Sequence, residues 1–376
     1  MKFSASSADL LKALQTVSGA VPTKSTLPIL ECILFEADVH TLQLSATDLE
    51  ISIRQKISVT LEKSDRAVPS RVAVPAKRLL DTLRALPETP VEFTVDEEYN
   101  VTLKTAQGRY KMVGFDGADY PALPDLADTT RIETSGSLLK RAIQKTGFAV
   151  SRDALRPAMM GIYFQIGPDG GKAVATDGHR LVKLSLDRMT SVEPVSFIVP
   201  EKAVGLASRV ATDEPCFVLV DGGYVAFDFG RSRVLARLID ESYPNYQAVI
   251  PVENEKRLTV SRDAMLAAVK RVALYSSSMT NQIRLSLAAD NVRISAEDIE
   301  RASEAQETVA CEYDSDDMVI GFNAVYLTEV LSNVDCEEVQ FEFSSPNRAG
   351  IVIPMEQKDG ESMMMLIMPV MLNTYA

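Results

Sequence analysis

Two hydrophobic periods alternate along this chain. Helical spacing appears first in Ser7–Val17, where Leu10, Leu11, Leu14 and Val17 share a face behind a serine cap and an early aspartate. The period-two alternation of strands follows over Ile29–Ala37, Thr41–Ala46 and Ile51–Leu61. A second cycle places a helix over Pro75–Leu86, with Pro75 suited to the first turn, and strands at Val91–Val95, Val101–Thr105 and Gly108–Phe115. The first third therefore reads as two halves, each a helix plus antiparallel strands.

The same plan returns twice. Leu138-Leu139-Lys140 falls on Leu10-Leu11-Lys12 at an offset of 128, and Ser242-Tyr243-Pro244 on Asp119-Tyr120-Pro121 at 123. Val199-Pro200 with Lys202 repeats Val74-Pro75 with Lys77 at 125, and Asn323 stands 123 residues beyond Pro200. Leu42–Glu50 can be laid on Val292–Glu300 at an offset of 250. The spacing predicts further helices over Ser135–Gly147, Pro200–Val210, Ser261–Tyr275 and Phe322–Val334. Landmarks that keep nearly one offset imply three domain-sized repeats, 1–128, 129–252 and 253–376, with boundaries in the polar linkers near Asp128 and Pro251–Lys256. The fold class is α+β.

The most informative segment is Ala175-Thr176-Asp177-Gly178-His179-Arg180-Leu181. It lies between the apolar run Ala173–Ala175 and the alternating Leu181–Leu186, so it reads as a hairpin whose tip carries one of only two histidines. Gly167–Gly171 reads as another hairpin turn rather than a phosphate cradle.

Composition narrows the class. A hydrophobic share of 46% and a charged share of 24% are those of a globular protein. No apolar run approaches the roughly 20 residues of a membrane span, and Met1–Ser7 lacks the apolar core of a signal peptide. The four cysteines, Cys32, Cys216, Cys311 and Cys336, lie far apart, so neither a zinc site nor a disulfide framework is expected; buried thiols in a reducing cytoplasm are. No metal or cofactor is expected.

A net charge of −13 argues at first against nucleic acid. The six predicted helices, however, sum to +7, which leaves −20 on the rest of the chain. On one shared face they would present Lys12, Lys77, Arg78, Arg84, Lys140, Arg141, Lys145, Lys202, Arg209, Lys270 and Arg271 to a polyanion. With few aromatics among them, such a face suits sequence-blind phosphate contact. For any single lysine, an ordinary solvated helix face is the better explanation; the segregation of charge as a whole points to a polyanion.

Three basic-helix repeats, the Ala-Thr-Asp-Gly-His-Arg-Leu segment and the ending Leu366-Ile367-Met368-Pro369-Val370-Met371-Leu372 together resemble the bacterial sliding clamps, the β subunits of DNA polymerase III. Thr26–Leu30, the Val-Pro pairs at 74–75 and 199–200, and Gly321-Phe322-Asn323 are also similar to that family, so the resemblance spans nearly the whole chain. It implies a DNA-clamp fold that forms a ring, a head-to-tail homodimer of six similar domains whose helices line a hole for duplex DNA. It further implies a non-catalytic processivity factor that slides without reading sequence. Lys24 matches a loop position near DNA, and Arg152 is its counterpart by charge in the second domain.

The resemblance also implies a hydrophobic cleft that accepts Gln/Leu/Phe-type peptides from polymerases, the clamp loader and repair proteins. Its walls would be Arg156, Met159, Thr176, Gly178, His179, Arg180, Leu181, Pro244 and Val249, with Asn323, Tyr326, Gly350, Leu366, Ile367, Met368, Pro369 and Val370 from the third domain. Methionines there suit many partners. Asn373–Ala376 extends past the usual terminus and Met371 replaces a polar or basic residue, and both bear on peptide preference. For ring closure, Lys104, Arg109 and Lys111 are expected to face Asp298, Glu300 and Glu304 of a second copy, with Leu274 and Tyr275 packing near Tyr110.

Two other classes compete. Asp177, His179 and Arg180 form an acid–base and anion-binding set on paper, but no second carboxylate, nucleophile elbow or phosphate loop accompanies them. A monomeric DNA-binding scaffold would use the same helices without a closed ring.

Overall fold

The computed structural model describes residues 1–38, 40–61, 70–126 and 129–372. The proposed boundary at Asp128 and the Asn373–Ala376 extension lie outside the described residues.

Each half-repeat runs strand, helix, strands. The first repeat comprises β1 (Lys2–Ser6), α1 (Ser7–Ser18), β2 (Cys32–Asp38), β3 (Thr41–Thr47), β4 (Ile51–Ser58) and β5 (Thr60–Leu61). It continues with β6 (Arg71–Pro75), α2 (Ala76–Ala85), β7 (Pro90–Val95), β8 (Asn100–Lys104), β9 (Arg109–Val113) and β10 (Phe115–Asp116). The second repeat holds β11 (Thr130–Ser135), α3 (Gly136–Thr146), β12 (Gly161–Gly167), β13 (Gly170–Thr176) and β14 (Arg180–Leu186). Its other half is β15 (Val195–Pro200), α4 (Glu201–Val210), β16 (Pro215–Asp221), β17 (Tyr224–Asp228) and β18 (Ser232–Arg237). The third repeat follows with β19 (Lys256–Ser261), α5 (Arg262–Ala273), β20 (Gln282–Ala288), β21 (Asn291–Asp298) and β22 (Ser303–Tyr313). It ends with β23 (Met318–Asn323), α6 (Ala324–Ser332), β24 (Glu338–Phe343), β25 (Gly350–Pro354) and β26 (Glu361–Ile367).

All six helices lie where periodicity placed them. The strands differ at three points. Pro28–Glu31 is a 3₁₀ turn, so the strand expected from Ile29 begins at Cys32, because proline lacks the N–H that a ladder needs. The stretch Ile51–Leu61 breaks at Val59, whose N–H leaves the ladder and donates to His40 O at 3.2 Å. Gly108–Phe115 also divides: β9 belongs to one sheet and β10 to another. Gly114 allows the switch, since a Cβ there would sit 3.0 Å from the carbonyls of Ala73 and Tyr99.

The chain forms two compact units, Met1–Lys140 with Lys202–Leu238, and Arg141–Glu201 with Ile239–Ala376. The first holds a five-stranded sheet (β5-β1-β7-β8-β9) and a nine-stranded one (β10-β6-β2-β3-β4-β18-β17-β16-β11). The second holds a twelve-stranded sheet, β15-β12-β13-β14-β26-β25-β24-β19-β22-β21-β20-β23. Repeats are thus sewn together by main-chain ladders: β4 pairs β18 with Ile53 opposite Val234, and β14 pairs β26 with Leu181 opposite Leu366.

Apolar faces of the helices bury against these sheets. In the first unit the rings of Phe3, Phe35 and Phe93 stack with centroids 4.8 and 5.1 Å apart, and all three are fully buried. In the second unit, the linker after β18 lays Tyr243 on Tyr163 at 4.5 Å and sets Tyr246 edge-on to both at 6.5 Å. These rings pack against Val174, Leu181, Ile351 and Leu366, behind the β14–β26 seam.

Candidate functional site

The β13–β14 hairpin is tied by its own side chains. Thr176 Oγ1 donates to Arg180 O at 2.6 Å and accepts from Gly178 N at 3.1 Å. Asp177 Oδ1 accepts from the N–H groups of His179 and Arg180 at 2.9 and 3.0 Å. Gly178 sits at φ +89, and a Cβ there would meet Arg156 Nη1 at 2.7 Å. Arg156 therefore lies across the tip, held by Asp153 through Nε–Oδ2 at 2.9 Å.

This turn rests against the end of β26. Met368 N donates to His179 O at 2.8 Å and Val370 N to Gly321 O at 2.9 Å, which carries Leu366–Val370 along the hairpin and past the start of α6. Asn323 caps α6 by accepting from Val325 N and Tyr326 N at 2.9 and 3.4 Å. Capping fixes Tyr326, whose ring stacks on His179 at 5.7 Å with planes 16° apart. Gly350 pairs with Ile367, and a Cβ there would sit 2.9 Å from the Phe343 ring. Met159 follows Arg156 in the same short turn, while Pro244 and Val249 flank the Tyr246 that packs on Leu181 and Leu366. The expected wall residues are thus gathered within the second unit. The surface they make is mixed: Met368 (41%) and Val249 (55%) are open to solvent, whereas Leu181 and Leu366 form a buried backing.

Arg180 is the exception to that apolar character. It is only 6% exposed, yet its Nη1 pairs with Glu329 on α6 and its Nη2 donates to Phe148 O at 2.7 Å. Its Cζ lies 4.8 Å from the centre of the Tyr326 ring. Nε is 3.2 Å from Asp177 Oδ2, near enough for charge attraction but out of line for a hydrogen bond. Burial first, then Asp177, push the Tyr326 hydroxyl above its ordinary range. Glu329 and Phe148 escaped the sequence reading; the signal for Glu329 was its position three residues after Tyr326 on one helix face.

This arrangement does not suit acid–base chemistry. One Asp177 oxygen is held by two backbone N–H groups and the other faces Arg180, while His179 stacks on an aromatic ring. What it offers is an apolar shelf edged by a guanidinium, an imidazole and a phenol, suited to binding a short amphipathic segment.

The basic residues divide into two groups. Lys12, Lys24, Arg78, Lys140, Arg152, Arg209 and Lys270 are exposed and stand outside the ion pairs seen among the described residues. The others are engaged. Lys202 pairs with Asp48, Lys77 and Arg84 with Asp81 at 3.5 and 3.2 Å, and Arg271 grips Glu307 with two bonds of 2.7 and 2.6 Å. Arg141 and Lys145 depart furthest from freely solvated cations. Both are half-buried: Arg141 binds Glu361 and Asp335, and Lys145 binds Asp335 and Asn333 O, joining α3 to the segments around β24 and β26.

At the edge of the five-stranded sheet, β9 carries exposed Arg109, Tyr110, Lys111 and Val113, and Lys104 is exposed beside it on β8. With α2 it borders an open groove of about 850 Å³ lined by Lys77, Arg78, Tyr110, Met112 and Val113. In the second unit Leu274 (80%) and Tyr275 follow α5 on the surface, and Glu300 and Glu304 are exposed. Asp298 differs from the open acid expected: it is 5% exposed because its carboxylate caps the turn, accepting from Arg301 N at 3.3 Å.

Comparison with known proteins is consistent along the chain. The N-terminal, central and C-terminal domains of the DNA polymerase III beta subunit match residues 1–124, 133–245 and 247–371. The beta sliding clamp of Synechococcus elongatus is 30% identical over 375 residues, spanning 97% of this chain and 98% of that protein. That of Pseudomonas aeruginosa is also 30% identical, spanning 99% and 100%. Among solved structures, a P. aeruginosa sliding clamp bound to griselimycin superposes with a TM-score of 0.92 at 29% identity, covering 99% of this chain and 100% of that one. A Bartonella birtlesii clamp, also bound to griselimycin, gives 0.92 at 26% identity with the same coverage.

Proposed function

Because this chain belongs to the DNA polymerase III beta subunit family, and is thus a sliding clamp and a non-catalytic processivity subunit, we propose that two copies close head to tail around duplex DNA. The observation that carries the ring is β9. A strand edge leaves backbone groups that a second chain can meet, and the basic side chains on this one, beside a groove, restrict that partner to an acidic edge. Lys104, Arg109 and Lys111 complement Glu300 and Glu304 of a second copy, and Leu274 and Tyr275 would cover the groove beside Tyr110. Domain limits of 1–128, 129–252 and 253–376 belong to the same reading.

DNA contact falls first to the exposed Lys12, Lys24, Arg78, Lys140, Arg152, Arg209 and Lys270. Long, flexible cations that touch phosphates loosely allow sliding, and the acidic remainder of the surface repels DNA elsewhere. The shelf around His179, Tyr326 and Met368 takes Gln/Leu/Phe-type peptide segments of polymerases, the clamp loader and repair proteins. The relatives' complexes with griselimycin support a ligand-binding surface in this family. Among the described residues no helix is long and apolar enough to cross a membrane, and we place the protein in the cytoplasm.

Negative-stain images of the purified protein should show six-lobed rings with a central hole. Reversing Arg109→Glu and Lys111→Glu should raise the dimer dissociation constant by about tenfold or more, since like charges would then face each other. Hole-free particles, or an unchanged constant, would overturn the proposed ring.

A further inference from the structure

The chain contains the hairpin of the cleft twice. In the first unit, the turn between β3 and β4 repeats that between β13 and β14 bond for bond. Thr47 Oγ1 donates to Ile51 O at 2.9 Å and accepts from Leu49 N at 3.0 Å, and Asp48 Oδ1 accepts from Glu50 N and Ile51 N at 3.1 and 2.7 Å. Leu49 has φ 81 where Gly178 has 89. Arg237 N donates to Glu50 O at 2.9 Å, as Met368 N does to His179 O at 2.8 Å. Ile51 faces Ala236 across β4 and β18 as Arg180 faces Ile367 across β14 and β26.

Side chains at these matched positions differ in kind. Ile51 stands for Arg180. On the matching helices, six residues beyond Pro200 and Asn323, Leu206 stands for Glu329, and Ala203 stands for Tyr326. Leu206 fills its corner by packing on Gly19, at the end of α1, where a Cβ would come within 2.4 Å of its methyl. Both Ile51 and Leu206 are buried. At these two positions the first junction is therefore aliphatic, with its Lys202–Asp48 pair partly open to solvent, and the second, on the same backbone plan, pairs a buried Arg180 with a part-exposed Glu329.

That contrast is an internal control. The first junction buries no charge at these two positions, and replacing Arg180 and Glu329 together by the same aliphatic groups leaves no unpaired buried charge behind. Holding this fold together is then a poor reason for Arg180 and Glu329. We propose that Glu329 is a positioning residue of the peptide cleft: by pairing with Arg180 it fixes the guanidinium under Tyr326 and so holds the Tyr326–His179 stack as a wall before a peptide arrives. Asp177 Oδ2 and Phe148 O steady the same guanidinium from the hairpin and from the end of α3. A wall already in place spares the ligand the cost of ordering it. The inference rests on the cleft reading above and adds to it a residue that meets no ligand itself.

The test copies the first junction into the second, as the double variant Arg180→Ile, Glu329→Leu, with the single variant Glu329→Gln beside it. Binding of a labelled peptide bearing a Gln/Leu/Phe motif is measured by anisotropy on the full-length protein. Proton NMR of His179 supplies the second readout, reporting on the ring current of Tyr326, and circular dichroism with a thermal melt reports on the fold. In both variants the dichroism spectrum should be unchanged and melting cooperative, His179 should shift, and affinity should fall by about tenfold or more, a change well beyond assay error. Wild-type affinity in a folded double variant would overturn the proposal. So would failure of that variant to fold, which would make the pair a structural element. Wild-type protein that binds no such peptide would overturn the cleft reading itself and the inference with it.

Discussion

Asp335 shows how one residue decides the use of its neighbours. Burial alone would raise its carboxyl, but hydrogen bonds from Lys145 and Arg141, with their charges, outweigh this and hold it below the usual carboxylate range. A carboxylate depressed on folding contributes stability that is fully present above its unfolded value, near 4, and is lost as pH falls through the folded value. Asp335→Asn should therefore lower the thermal midpoint at pH 7, and the deficit should shrink as pH drops from about 4 toward 3. Melting curves across that range check it; a constant deficit would mean that the charge is not what matters. None of this was legible in the sequence. Lys140, Arg141 and Lys145 look alike on a helix, and only the fold separates the exposed Lys140 from the two cations that brace α3.

Helices were legible at the scale of elements because their signal is local. The 3.6-residue period, a serine cap at Ser6 or Ser261 and a proline before α2 are each carried within a dozen residues. The hairpin at Asp177 was legible for the same reason. Seam ladders were not. Nothing local tells β4 to pair with β18, which follows it by some 180 residues, or which register it takes. The sheet makes a clear statement here. Proline at Leu235, opposite Ser52 in a hydrogen-bonded pair of the seam, would remove a donor to β4 and bend β18, and Leu235→Pro should expose β4 as well. Hydrogen exchange of Ile51–Gln55 should then rise toward loop rates; protection equal to wild type would mean that β3 alone secures β4. Glu329 and Phe148 were missed for a related reason, since their importance exists only once β14 and α6 are brought together.

For the molecule as a whole, three repeats in sequence do not become three separate bodies. The middle repeat contributes β11 and β16–β18 to the nine-stranded sheet and β12–β15 to the twelve-stranded one, so main-chain hydrogen bonds cross both repeat boundaries. The repetition was visible in constant offsets, while the division of the middle repeat between two units was not. The two matched hairpins also give the protein a spare template for design. Gly at Leu49, Val at Lys202 and Tyr at Ala203, with an Arg–Glu pair at Ile51 and Leu206, would write the docking surface into the first unit. Each copy would then be bivalent, and a client carrying two motifs on a suitable linker would gain avidity from effective concentration rather than from any new kind of contact. Slower dissociation of a two-motif peptide, with single-motif rates unchanged, is the signature to look for.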